Sequence, residues 1–168
     1  MPITLNGSGT VTGISAGGLP SGIIQSANLA TGVGGKALQV LSVNKTDTTS
    51  TTSTSYVDIA GITLNITPQT NSKVLIQFCY CYAASGASGG AIRIVRIKGG
   101  TTSYLATADT AGYNSLNDTM ISYVGSNDNS NKMYHQGFHH LDASPGGDGS
   151  TQVTYKLQWR GNNGTIYL

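Results

Sequence analysis

Between Ser55 and Ala84 apolar and polar side chains alternate in two runs separated by a cluster of turn-forming residues. In the first run Ile62, Leu64 and Ile66 alternate with Thr63, Asn65 and Thr67. This is the pattern of a strand with one buried and one wetted face. In the second, Val74, Ile76, Phe78, Tyr80 and Tyr82 share one face, and Leu75, Gln77, Cys79 and Cys81 the other. That run is apolar on both sides near its start, which predicts a strand placed centrally in a sheet. Pro68–Ser72 lies between them, and Pro, Asn and Ser turn a chain by fixing φ or by bonding their own backbone. The two runs therefore read as a β-hairpin.

The remaining periodicity extends the same architecture. Leu38–Val43 reads as the first strand of a globular part, and Thr46–Ser55 as an extended edge strand or a loop. Ala91–Lys98 places Arg93, Val95 and Ile97 on one face and Ile92, Ile94 and Arg96 on the other, and Gly99–Thr102 turns it into Ser103–Ala108. Thr119–Val124, Met133–Ala143 and Thr165–Leu168 are further strands, separated by loops rich in Gly, Asn, Ser and Asp. Gln152–Arg160 alternates most cleanly, with Val153, Tyr155, Leu157 and Trp159 inward and Thr154, Lys156, Gln158 and Arg160 outward. About nine strands at short, regular spacing predict an all-β fold, an antiparallel β-sandwich wound as a jelly roll.

Residues 1–37 behave differently and form an N-terminal arm ahead of a head domain at 38–168. The first 35 residues hold nine glycines, no charged side chain and no aromatic. Burying their larger apolar residues does not offset the entropy of ordering so long a segment. Such a segment lacks the charge that keeps disordered chains solvated, so it is expected to order by association with other copies or a partner. Ile3, Leu5, Val11, Ile14, Leu19, Ile23, Ile24 and Leu29 are its candidate attachment residues.

Composition agrees with a β-rich chain. Only 10% of the 168 residues are charged, and every acid is Asp, which favours turns over helix interiors. The net charge of +2 carries no basic stripe, so nucleic acid is not an expected partner. No apolar run is long enough to span a membrane, and the opening MPITLNGSGT has neither the basic nor the apolar region of a secretory signal. Cys79 and Cys81 sit two apart on one strand face, poorly placed for a disulfide, and read as small buried hydrophobes of a protein folded in a reducing cytoplasm.

The segments ITLNGSGTVTGIS and GGLPSGIIQSANLATG resemble the N-terminal part of small tail-fibre-like virion proteins of bacteriophages. SVNKTDTTSTTSTSYVDIAGITLNITPQTNSKVLIQF and AIRIVRI resemble the β-rich head of the same proteins. The resemblance covers most of residues 3–98. It implies a virion protein made in the host bacterial cytoplasm, a homotrimer whose arm anchors to other proteins of the tail or capsid. The family also includes head decorations, so a purely structural capsid role is a second reading.

Candidate chemistry is sparse. On a regular strand His135 and His139 face one way and His140 the other; a metal on a trimer axis could take one imidazole from each chain, yet surface histidine is the commoner outcome, and no metal or cofactor is expected. Asp118, Asp128, Asp142 and Asp148 could meet as paired carboxylates, which keeps a polysaccharide depolymerase as a third reading, although turn-forming Asp is the commoner role. No catalytic residue is assigned, and the chain is read as non-enzymatic. Tyr80, Tyr82 and Tyr155 are expected in the core or an interface. Tyr104, Tyr113, Tyr123, Tyr134 and Tyr167 are expected in or near loops and strand ends, where aromatic faces beside short polar groups suit sugar rings. Tyr113, Asn114, Asn127, Asp128 and Asn129 are the candidate receptor-binding residues, with a host-surface glycan as the partner.

Overall fold

The computed structural model describes residues 37–85, 89–107, 120–123, 133–162 and 164–168, with the backbone alone at 120–123. The chain divides into two units, Met1–Leu38 and Gln39–Leu168. All but two residues of the first lie outside the described residues, and with them the eight apolar positions assigned to the arm. Among the described residues the second unit is all-β, with nine strands: β1 Ser50–Thr51, β2 Val57–Ile66, β3 Val74–Ala84, β4 Gly89–Lys98, β5 Thr101–Leu105, β6 Met120–Tyr123, β7 Tyr134–Asp142, β8 Val153–Gly161 and β9 Ile166–Tyr167.

These strands form two antiparallel sheets, one in the order β1-β9-β3-β7 and the other in the order β2-β8-β4-β5, with β6 also on β4. Only β4 and β5 pair as consecutive strands among those described. Their two-residue turn is Gly99–Gly100, both at positive φ, the backbone a tight hairpin requires. The predicted hairpin of β2 and β3 is corrected: both strands form, but in different sheets. Pro68–Ser72 carries the chain from one sheet to the other. There the Ser72 N–H donates to the Gln69 carbonyl at 3.0 Å, and Asn71 takes a left-handed φ of 63°. The apolar faces of β2 and β3 then meet across the sandwich instead of lying side by side.

The core follows from this opposition. Tyr80, Tyr82 and Ala84 of β3 face Ile92 and Ile94 of β4 and Leu157 and Trp159 of β8, all buried. Predicted inward, Val153, Tyr155, Leu157 and Trp159 of β8 are each under 9% exposed. On β2 the register shifts by three residues, which changes the phase of the alternation. Val57 and Asp58 pair with Trp159 and Gln158, after which the register jumps so that Thr63 pairs with Lys156. Gly61, at φ +82°, accommodates this bulge. The slip lets the odd-numbered Ile59 and the even-numbered Ile62 both pack on the core.

Leu38–Val43 is also corrected: it forms no strand, and Leu38 and Val40 are 65% and 81% exposed. Alternation makes a strand only beside a ladder partner, and no described strand lies alongside it. The ambiguous stretch Thr46–Ser55 supplies only the two-residue edge strand β1.

One polar cluster ties the sheets together. Asp142 of β7, 4% exposed, receives two bonds from Arg96 Nη1 of β4 at 2.9 and 2.8 Å and one from the Tyr155 hydroxyl of β8 at 2.7 Å. Arg96 Nη1 also donates to the Ser144 carbonyl at 2.7 Å. Close by, the 144–150 turn packs on the β2–β3 crossing: the Gly149 N–H reaches the Pro68 carbonyl at 3.0 Å, and a Cβ on Gly147 would stand 2.3 Å from the Gln69 carbonyl oxygen. Removing one partner of a buried ion pair strands the other charge. Asp142→Ala is therefore expected to lower the unfolding free energy in urea by about 3–5 kcal/mol. Arg96→Met combined with Asp142→Leu should recover much of that loss. A wild-type urea midpoint for Asp142→Ala would show that the cluster does not hold the sheets.

Candidate functional site

Among the described residues β3 is paired fully along one edge only. β7 runs beside Val74–Tyr82 without a break in register, whereas β9 covers Ala83 and Ala84 alone. Backbone groups of a strand point to alternate sides with a period of two. The Ser85 N–H donates to the Thr165 carbonyl at 2.9 Å, which fixes the odd-numbered residues as those that point toward β9. Leu75, Gln77, Cys79 and Cys81 therefore direct their N–H and C=O groups to a side where, among the described residues, no strand pairs with them.

A cavity of about 930 Å³ opens at that edge, and its lining also takes in Cys79 and Cys81 on the outer face and His135, Phe138 and His139 of β7. Ile76, Phe78 and Tyr80 line its β3 side, and Leu41–Thr48, which leads into β1, lines the same opening. Thr49 and Leu168 exchange both backbone bonds at 2.9 Å, so the approach to β1 continues the β1–β9 ladder. From the opposite sheet the cavity is lined by Ile59, Ile62, Leu64, Ile94 and Leu157. The position that β9 occupies between β1 and β3 thus continues as an apolar slot that reaches the core. Lys45 stands at this opening with its side chain 6% exposed and its ammonium on Asp47 at 2.8 Å.

The β3 side of the slot is an aromatic row. Phe78 stacks on Tyr80 at 5.9 Å, and Tyr80 meets Tyr82 at 6.0 Å. Across to β7, Phe138 lies 5.6 Å from Phe78 and Tyr134 stacks on Tyr82 at 5.3 Å. The Tyr80 hydroxyl donates to Gln136 Oε1 at 3.0 Å. Such a wall is large and rigid, offering area without much side-chain entropy to lose.

Contacts on the outward-facing positions of the other sheet are already paired. Lys156 Nζ and Gln158 Nε2 donate to the Asp58 carboxylate at 2.8 and 2.7 Å, and Arg93 Nε donates to Gln158 Oε1 at 2.8 Å. The Arg93 guanidinium lies between Tyr56 and Tyr104, 3.9 and 4.0 Å from their ring centres. That ladder binds the strands of one sheet to each other.

The residues predicted for receptor contact, Tyr113, Asn114, Asn127, Asp128 and Asn129, lie outside the described residues. Tyr80, Tyr82 and Tyr155 are buried as expected. Tyr134 stands at the start of β7, at a strand end as expected, and its ring also packs against the core, while Tyr104, next to the end of β5, flanks Arg93. Of the four carboxylates considered as pairs, Asp118 and Asp128 lie outside the described residues. Asp142 is engaged by Arg96 and Tyr155, and Asp148 accepts N–H bonds from Ser150 and Thr151 at 2.8 and 2.6 Å. His135 and His139 face outward and His140 is half-buried on the other face. No described group of three or more His, Cys, Asp or Glu could hold a metal ion. Cys79 and Cys81 are free and exposed, which corrects their expected burial: their face of β3 is the outer one. No helix among the described residues is long and apolar enough to cross a membrane.

Neither a protein-family model, nor a curated protein, nor a solved structure matches this chain.

Tyr80 and Tyr155 both line the cavity, and burial first of all lifts both phenols well above their ordinary value of 10.0; for Tyr155 the bond to Asp142 adds to the effect. The folded state therefore keeps protons that the unfolded chain releases, so this stability is complete below pH about 10 and is lost as pH rises beyond it. The urea midpoint is expected to fall above that pH, and the Tyr80→Phe/Tyr155→Phe double variant to fall less steeply. Equal slopes for the two proteins would contradict the assignment.

Proposed function

We propose that this chain is a non-enzymatic structural protein of a bacteriophage particle. Residues 1–37 anchor and associate the subunit, and the sandwich at 38–168 projects from the particle and binds a glycan on the host surface. The observation that carries this reading is the unfinished sheet, because a domain whose core opens along one strand position is suited to completion by a neighbour. The resemblance of residues 3–98 to small tail-fibre-like virion proteins supports the particle, and the uncharged, glycine-rich opening supports an arm that orders on contact. The interleaved strand orders support a jelly-roll winding. A homotrimer is the assembly favoured by the same resemblance, and Tyr113, Asn114, Asn127, Asp128 and Asn129 are the residues assigned to the glycan.

Deletion of residues 1–37 tests the division of labour. The truncated chain is expected to be missing from purified particles and to lose its oligomeric state on size-exclusion chromatography with light scattering. Normal incorporation together with an unchanged oligomer would refute the role of the arm.

A further inference from the structure

We propose that the slot beside β3 receives Ile3–Thr12 of a second copy of this chain, added as an antiparallel strand. The inference rests on the reading of residues 1–37 as the associating arm, and it names where the arm goes. The first support is the backbone. Leu75, Gln77, Cys79 and Cys81 present donors and acceptors in ladder spacing to one side, as an added strand requires. These span seven residues, roughly 23 Å of strand. Ile3–Thr12 is long enough to cover them, and residues 13–36 supply roughly 80 Å of extended reach to a neighbour.

The second support is the side-chain pattern. From Ile3 to Thr12 every odd position is apolar or glycine (Ile3, Leu5, Gly7, Gly9, Val11) and every even position is Thr, Asn or Ser. A strand with that alternation has one face for the apolar lining around Ile62, Leu64 and Leu157 and one for water. β9 shows the same alternation where it ends against the slot, with Ile166 buried and Tyr167 exposed. The third support is charge: the segment has none to desolvate, and the lysine at the opening is already paired with Asp47. Among the described residues nothing pairs with this edge, and the strand is assigned to another copy because residues 1–37 are read as the associating arm, with occupation in cis left as an outcome of the test.

Cross-linking in the full-length chain tests this directly, because the outward Cys79 and Cys81 stand next to the proposed strand. Single cysteines are placed at Thr4, Asn6, Ser8 and Thr10, and as controls at Ile3, Leu5 and Val11, in chains that also carry Cys79→Ser and Cys81→Ser. Each is mixed with the wild-type chain and oxidised mildly, and the linked peptides are mapped. At least one even position is expected to form a disulfide to Cys79 or Cys81 of the wild-type chain, with the odd positions giving none. Linking at odd and even positions alike would mean proximity without strand pairing, and absence of any link would mean that another occupant fills the slot; either overturns the proposal. The same Thr4→Cys and Asn6→Cys changes in chains retaining Cys79 and Cys81 report occupation in cis. Disulfides closed within one chain there, with no links between chains, would overturn it as well. If no link forms while deletion of residues 1–37 still abolishes incorporation, the anchoring role stands and only the slot assignment falls.

Discussion

A β-sandwich keeps water from its core only when each strand position in both sheets is filled. Among the described residues of this chain one position is filled for two residues and then stops being filled. β9 pairs with β1 and with the last two residues of β3, and beyond it the slot opens onto Ile59, Ile94 and Leu157 of the facing sheet. Unpaired strand edges invite association, and natural domains blunt them with charge, proline or a covering segment. Among the described residues, none of these devices stands on Leu75, Gln77, Cys79 or Cys81. An exposed Leu75 at 57% and an aromatic row just inside the edge make it an attractive template.

The rest of the head is organised to hold that edge still. β7 locks β3 along its other side, and the Arg96–Asp142–Tyr155 cluster fastens β7 to the opposite sheet. The 144–150 turn and the β2–β3 crossing interlock close to the same end, where glycine is required by the contact between Gly147 and Gln69. A rigid edge reduces the ordering cost of strand addition, because only the incoming segment loses conformational freedom. On the other sheet the Asp58–Gln158–Arg93 ladder and the tyrosines around Arg93 use the outward groups internally. The two sheets thus differ in what they leave unsatisfied.

Much of the fold was legible in the sequence, because period-two alternation reports faces directly. The β8 pattern named its four buried residues, and the β3 pattern named the face that carries Phe78, Tyr80 and Tyr82. Pairing was not legible. Pro68–Ser72 marks a turn equally well for a hairpin or for a crossing between sheets, and only the contacts of β2 with β8 and of β3 with β7 decide. Alternation misled at Leu38–Val43, beside which no described strand lies, and cysteine's preference for burial misled at Cys79 and Cys81, whose face proved to be the outer one. The stretches assigned to glycan contact show no regular period in the sequence, so composition alone picked them out.

Amide hydrogen exchange, resolved to single residues along β3 of the full-length chain, tests the central claim most directly. The N–H groups of Phe78 and Tyr80 point to β7, and those of Gln77, Cys79 and Cys81 point to the slot. At concentrations where copies associate, both sets should be protected; on dilution to single chains, Gln77, Cys79 and Cys81 should exchange rapidly while Phe78 and Tyr80 stay slow. Fast exchange at Gln77, Cys79 and Cys81 in the associated protein would contradict the account.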